Sequence, residues 1–186
     1  MNPNPNALPC DHSAVHKRRL KTLEVPLDRD VFMRTLIRHL AGTLEEIVGL
    51  EEATGFISVV GQQMGEDIGR QYREALDKTR LTPSEVAEVL VDLKQRIQGD
   101  FRVIEETSDM LLLKSRSCPF GDKVIGRSSM CMMTSNVFGS IASQSLGYAK
   151  VELRQTIALG HEGCLIAVYL NPSAGATAEG REYYAD

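Results

Sequence analysis

Thiolates are the softest ligands and the strongest nucleophiles a chain can offer near neutral pH. Four cysteines stand in these 186 residues, three of them in the C-terminal half: Cys118, Cys131 and Cys164. Their spacing excludes a zinc finger, which wants close pairs such as Cys-x₂-Cys and four protein ligands. An iron–sulfur cluster, by contrast, takes thiolates from distant points of a chain and normally wants four. His161, Cys10 or a small exogenous molecule are the candidates for a fourth ligand. The residues leave three chemistries open. One is a cluster of undetermined type, or another metal such as zinc, on Cys118, Cys131 and Cys164. The second is a metal-free thiol switch of Cys118 with Cys131. In the third the cysteines are ordinary small hydrophobes and the fold instead holds an apolar or aromatic molecule between helices and sheet.

The neighbours of the cysteines bear on this. Lys114, Arg116, Lys123 and Arg127 flank Cys118 against a single acid, Asp122, and Cys131 falls in the first turn of an expected helix. Cations and a helix N-terminus favour thiolate over thiol, or hold an anionic cofactor. No other set competes. There is no Gly-x-Ser-x-Gly, no phosphate-binding glycine loop followed by lysine, and no His-Glu-x-x-His, so nothing marks an enzyme.

Three helices are expected first. Asp28 to Val48 sets Val31, Phe32, Leu36, Leu40, Leu44 and Ile47 on one stripe, and Glu51 to Leu76 forms the second. Thr82-Pro83-Ser84-Glu85 opens the third with a capping box and a proline at the first helical position. That helix carries Val86, Val89, Leu90, Leu93 and Ile97 and stops at Gly99. The period then changes to that of strands: Phe101–Glu105, Met110–Arg116, a helix over Ser128–Leu146, an alternating strand over Tyr148–Ile157, a turn at Gly160–Gly163, and a last strand over Cys164–Leu170. The alternation puts Ala149, Val151, Leu153 and Ile157 inward and Lys150, Glu152 and Arg154 outward. The fold class is α+β, with N-terminal helices packed on an antiparallel sheet in β-β-α-β-β order.

This order itself gathers the cysteines. The helix after Cys131, about 18 residues, carries the chain ~27 Å away. The next strand, about 10 residues, returns it ~33 Å. Cys164, the first residue past the turn, therefore comes back to the edge where Cys118 and Cys131 lie, with His161 alongside.

Composition frames the rest. Hydrophobic residues make up 42%, charged residues 25%, and the net charge is −4, an ordinary globular balance with no pull toward nucleic acid or an acidic membrane. No helix-turn-helix, membrane span or signal peptide stands out, so a cytoplasmic protein with no membrane or nucleic-acid partner is expected. Residues 1–26 read as a disordered tail, 27–170 as a single sensor domain and 171–186 as a flexible tail. Gly61, Gly65 and Gly69 recur every four residues on the second helix. They mark a close approach of another backbone within the chain, or alternatively a homodimer face.

Cys118-Pro119-Phe120-Gly121, then Cys131, Leu146-Gly147 and Gly160-His161-Glu162-Gly163-Cys164 together resemble the methanogen output domain and the C-terminal sensor half of iron–sulfur repressors of cluster-assembly operons. More distantly they resemble the 4-vinyl-reductase-type ligand-binding domain. The likeness in layout spans roughly 28–170, with its motifs in 115–170. It implies a regulatory sensor domain, cluster ligands at Cys118, Cys131 and Cys164, and a protein partner in a signalling pathway. A further cysteine of the repressors, expected near Leu146-Gly147, is absent; Ser145 and Tyr148 stand there.

Overall fold

A computed structural model describes residues 22–185. The chain divides into two compact units at Phe32/Met33, a boundary inside the first helix, and each is taken by itself. In the described part of the first unit, the Asp28 carboxylate accepts the Val31 N–H at 2.7 Å, capping the start of helix α1 (Arg29–Val48). Most of the 1–26 segment lies outside the described residues.

The second unit continues α1 and adds α2 (Leu50–Ala75), α3 (Pro83–Arg96), β1 (Arg102–Glu106), β2 (Met110–Ser115), α4 (Cys131–Leu146), β3 (Tyr148–Gln155), β4 (Cys164–Tyr169) and β5 (Arg181–Tyr184). The α+β class is as expected. The sheet is antiparallel throughout, in the order β1-β2-β4-β3-β5. The α3 capping box forms as the sequence demands: Glu85 N–H reaches the Thr82 hydroxyl at 3.4 Å and Thr82 N–H reaches the Glu85 carboxylate at 2.9 Å.

Helix α4 is the centre. Ten of its sixteen residues are buried, because α2 covers one side and the sheet the other. Such a helix can carry few large side chains, and α4 carries Ser135, Gly139, Ser140, Ala142, Ser143 and Ser145. Gly61, Gly65 and Gly69 of α2 pack on it. A Cβ on Gly61 would stand 2.9 Å from Asn136 Cβ, and one on Gly65 2.7 Å from Ser140 Cβ and 3.0 Å from Val137 Cα. The glycine face is thus an internal helix seam, which leaves it no part in a homodimer.

Three readings are corrected. The 171–186 segment, expected to be a flexible tail, carries β5. Its Tyr183 ring lies on α4 where Gly139 has no side chain, and its hydroxyl is 2.9 Å from that of Ser135. Lys150, expected outward, is buried: the segment after β4 crosses it, and the Lys150 ammonium donates to the Gly175 carbonyl at 2.9 Å. The α1 stripe does not enter the core either. Leu40 is 57% and Ile47 75% exposed, while Ala41 and Gly42 are buried. The small residues let the loop before α4 come close, since a Cβ on Gly42 would meet the Arg127 guanidinium at 2.9 Å. Among the described residues no helix is long and apolar enough to cross a membrane.

Gly65→Ala gains helix propensity of up to ~1 kcal/mol but forces the α2–α4 seam apart. We expect a net destabilisation within the ~1–3 kcal/mol range of overpacked cores, read by urea unfolding. Gly55→Ala, whose Cβ would meet nothing, serves as the control and should not destabilise.

Candidate functional site

The site begins where β2 ends. The Asp100 carboxylate accepts the Ser115 hydroxyl at 2.5 Å and the Arg116 and Ser117 N–H groups at 2.8 Å each. Burial pushes this carboxyl up, but those hydrogen bonds outweigh it and hold the pKa down at about 2. The bend they fix delivers the chain to Cys118, whose carbonyl accepts the Gly121 N–H at 2.7 Å in a tight turn with Gly121 at φ 59°. Register sets the second cysteine, because Cys164 is the β4 partner of Ser115 on β2. Cys131 is the first residue of α4.

All three cysteines line one cavity, as the helix-out, strand-back connectivity predicts. They are half-buried and none is in a disulfide. The cavity lies where two apolar clusters meet. Cys164 packs on the main core around Leu90, Leu93, Phe101 and Phe138, and Cys118 and Cys131 pack on a smaller cluster of Ala41, Val124, Met130 and Ala158. The space open to the centre of a water-sized sphere is ≈ 20 Å³, room for about one water or one ion. Among the described residues, no three His, Cys, Asp or Glu side chains are already arranged around a metal position.

Burial reverses the expected thiol chemistry. It pushes the Cys131 thiol up to about 12, with negative charge on Cys164 and Cys118 adding to the rise and the Thr156 hydroxyl opposing it. Burial likewise raises Cys118 and Cys164. The flanking cations are engaged elsewhere: Arg127 with Glu45 at 2.9 Å and Lys123 with Asp122 at 3.1 Å, while Lys114 and Arg116 are exposed.

The cation of the site comes instead from α3, far from the cysteines in sequence. Lys94 is 4% exposed. Its ammonium donates to the Thr134 hydroxyl at 2.8 Å and sits 5.4 and 5.2 Å from the ring centres of Phe101 and Phe138. Burial drives its pKa down to about 8, and interaction with Cys118, Cys164 and Cys131 partly opposes this. One signal was present: Lys94 stands four residues after Leu90 and eight after Val86, on the stripe that turns inward. Ile97, assigned to that stripe, is half exposed instead.

His161 is exposed, and its Nδ1 lies 3.0 Å from the Thr156 carbonyl; it does not line the cavity. Cys10 lies outside the described residues.

The site is thus a three-thiol cavity in a small α+β domain, with a buried lysine close by. The sequence profile of methanogen output domain 1 matches residues 36–169, and the chain belongs to that family. No curated protein sequence matches it. Among solved structures, a trafficking protein particle complex subunit 3 from Naegleria fowleri, covalently bound to palmitic acid, is similar at a TM-score of 0.57 and 13% identity. The match covers 83% of this chain and 99% of that one, a likeness of fold alone.

A raised thiol pKa has a testable consequence. Above the ordinary value of 9.0 the unfolded chain gives up the Cys131 proton while the folded chain keeps it. The folded state then binds more protons, so stability falls as pH rises from 9 toward 12, by at most about 1.4 kcal/mol per pH unit. Lys94, lowered on folding, acts in the opposite direction between about 8 and 10.5. The stability of wild type minus that of Cys131→Ala isolates the thiol, and denaturant titrations from pH 8 to 10.5 should show this difference shrinking above pH 9.

Proposed function

We propose that this protein is a regulatory output domain. Its responsive element is the Cys118–Cys131–Cys164 cavity, which takes a single soft divalent metal ion and passes its state to a partner protein through the Cys118 loop. What carries the reading is the meeting of three free thiols on one cavity with room for about one atom-sized occupant. Thiolates select soft metals over magnesium or calcium.

Cys131, on a helix, and Cys164, on a strand, are preorganised. Cys118 stands on the 116–127 loop, which carries glycines in the left-handed region at Gly121 and Gly126. Closure of Cys118 on the other two thiols would complete a three-thiolate set. The loop cannot move without consequence, because Phe120 lines both the thiol cavity and an apolar groove next to it, as does Met130. Drawing in Cys118 shifts Phe120, and the groove surface changes for whatever partner reads it, in the manner of a loop-order switch.

The test uses protein purified without oxygen and titrated with zinc under chelator competition. Wild type should take up one ion per chain. Cys131→Ser and Cys164→Ser should lose stoichiometric uptake, and Cys118→Ser should keep a weaker site. Hydrogen exchange over 117–127 should slow on loading, with the sheet little changed. Absence of uptake by wild type, or identical exchange in that loop, would overturn the reading.

The groove itself supports a second reading. It offers ≈ 300 Å³ lined by Ile37, Leu40, Leu44, Phe56, Val60 and Met64, with Phe120, Met130 and Met133 at its base. Nearly every lining atom is apolar, which suits a hydrocarbon chain or aromatic molecule. The similar trafficking subunit carries palmitic acid. A fluorescent fatty acid should bind wild type and be rejected by Val60→Glu, with zinc uptake untouched; equal binding by both proteins would dismiss the groove as its site.

A further inference from the structure

A broad apolar surface is left open on α1 and α2. Only Gly49 separates the two helices, and residues as far from it as Ile37 and Met64 line one groove, so the pair folds back as a helical hairpin. Leu36, Leu40 and Ile47 on α1 are 40%, 57% and 75% exposed, and Phe56, Val60 and Met64 on α2 are 57%, 48% and 45% exposed. Half of six large side chains amounts to on the order of 600 Å², the upper end for the largest apolar patch of a typical monomer. It also matches the apolar core of a standard interface, which takes ~800 Å² from each partner. Charge on the hairpin is divided. Between Met33 and Leu44, α1 carries the bases Arg38 and His39 and no acid. The elbow that follows carries Glu45, Glu46, Glu51 and Glu52, and no base occurs from Leu40 to Gly69. The Arg38 guanidinium donates to the Lys123 and Ile125 carbonyls, which leave its charge uncancelled. Glu46, Glu51 and Glu52 are exposed.

We propose that this hairpin face binds a second copy of the chain, about a twofold axis that sets the two α1 helices antiparallel. The face is distinct from the glycine seam, which is occupied within the chain, and the inference does not rest on the thiol cavity. A twofold interface joins one patch to itself, so the patch must be its own complement. Apolar surface meets that condition in any orientation, and the divided charge selects one. Antiparallel packing sets the basic half of each α1 toward the acidic elbow of its partner, whereas parallel packing sets elbow against elbow. Charge arranged in this way fixes orientation and partner more than affinity. The two hairpins then close a four-helix bundle and cover the stripe that the chain itself leaves in water. A hydrocarbon ligand in the groove does not do this, because Leu36 and Ile47 do not line the groove.

Sedimentation equilibrium of the full chain, under reducing conditions and over about 1–100 µM, covers the weak end of what an interface of this area gives. Wild type should sediment at twice the chain mass. Leu36→Glu and Ile47→Glu each place a charge in the apolar contact and should weaken association by about 100-fold or more, leaving monomers that keep the wild-type circular dichroism spectrum. Ile104→Glu, on β1 and away from the hairpin, should remain dimeric. Glu51→Lys combined with Glu52→Lys should weaken association by about tenfold, and added salt should then strengthen it, the reverse of wild type. A wild type that is monomeric throughout the range overturns the proposal, and a monomer that takes up the fluorescent fatty acid assigns the face to a lipid instead. A dimer that survives both Leu36→Glu and Ile47→Glu overturns it as well, since the contact then lies elsewhere. A dimer indifferent to the charge reversal overturns the antiparallel arrangement. None of these outcomes bears on zinc uptake by the cysteines.

Discussion

The structure depends on one constraint: α4 has no solvent face to spare. A helix covered by another helix on one side and by a sheet on the other must be built from small side chains where its neighbours come closest. The neighbours must be small there too. Gly65 against Ser140, and Gly139 beneath the Tyr183 ring, are the two halves of that demand. Close packing of this kind tolerates little displacement, so the first residue of α4 is held as firmly as its middle. That residue is Cys131. The placement of one thiol is therefore a by-product of the fold's tightest seam, and β4 pairing places a second with equal firmness at Cys164.

Charge in the cavity follows from the same burial. Loss of water raises the three thiols and lowers the lysine, because in each case the neutral form is favoured. These shifts oppose the ionised state singly but not jointly. A thiolate formed beside the ammonium costs less than either charge alone, as attraction at low dielectric recovers part of the desolvation. The resting cavity is thus chemically quiet, a poor nucleophile at neutral pH.

Much of this was legible in the sequence. The capping box at Thr82–Glu85 announced α3, the change of hydrophobic period placed the strands, and the lengths of α4 and β3 brought Cys164 back to Cys118. The failures share one physical cause: periodicity reports which face of an element is apolar but not what will cover it. Leu40 and Ile47 lie on a sound amphipathic stripe, yet α1 meets the rest of its unit through Ala41, Gly42 and Arg38, whose guanidinium donates to the Lys123 and Ile125 carbonyls at 2.5 and 2.9 Å. Lys150 alternates outward on β3, but the far face of the sheet is itself covered, by the chain around Gly175. The four residues 181–184 are too few to show a strand pattern of their own, and β5 exists because β3 has a free edge and α4 has a gap at Gly139. Of the basic residues near Cys118 in sequence, Lys123 pairs with Asp122 and Arg127 with Glu45. The cation that matters, Lys94, is distant in sequence and arrives by tertiary packing.

Proximity also decides how the site can speak to anything outside it. The thiol cavity is partly open, and the three cysteines that line it are half-buried. Its walls come from several elements: Leu153 and Ile166 lie on paired strands, and Thr134 lies on α4. Pro119 and Phe120 on the Cys118 loop form another part of the wall, and Phe120 also lines the groove. Met130, its neighbour in that partition, is the flexible kind of side chain that repacks at little cost. Around the groove mouth, Leu40, Phe56 and Val60 are all near half exposed or more, an apolar surface of the sort that marks an interaction site. Phe120 and Met130 together thus form the partition between the thiol cavity and the apolar groove.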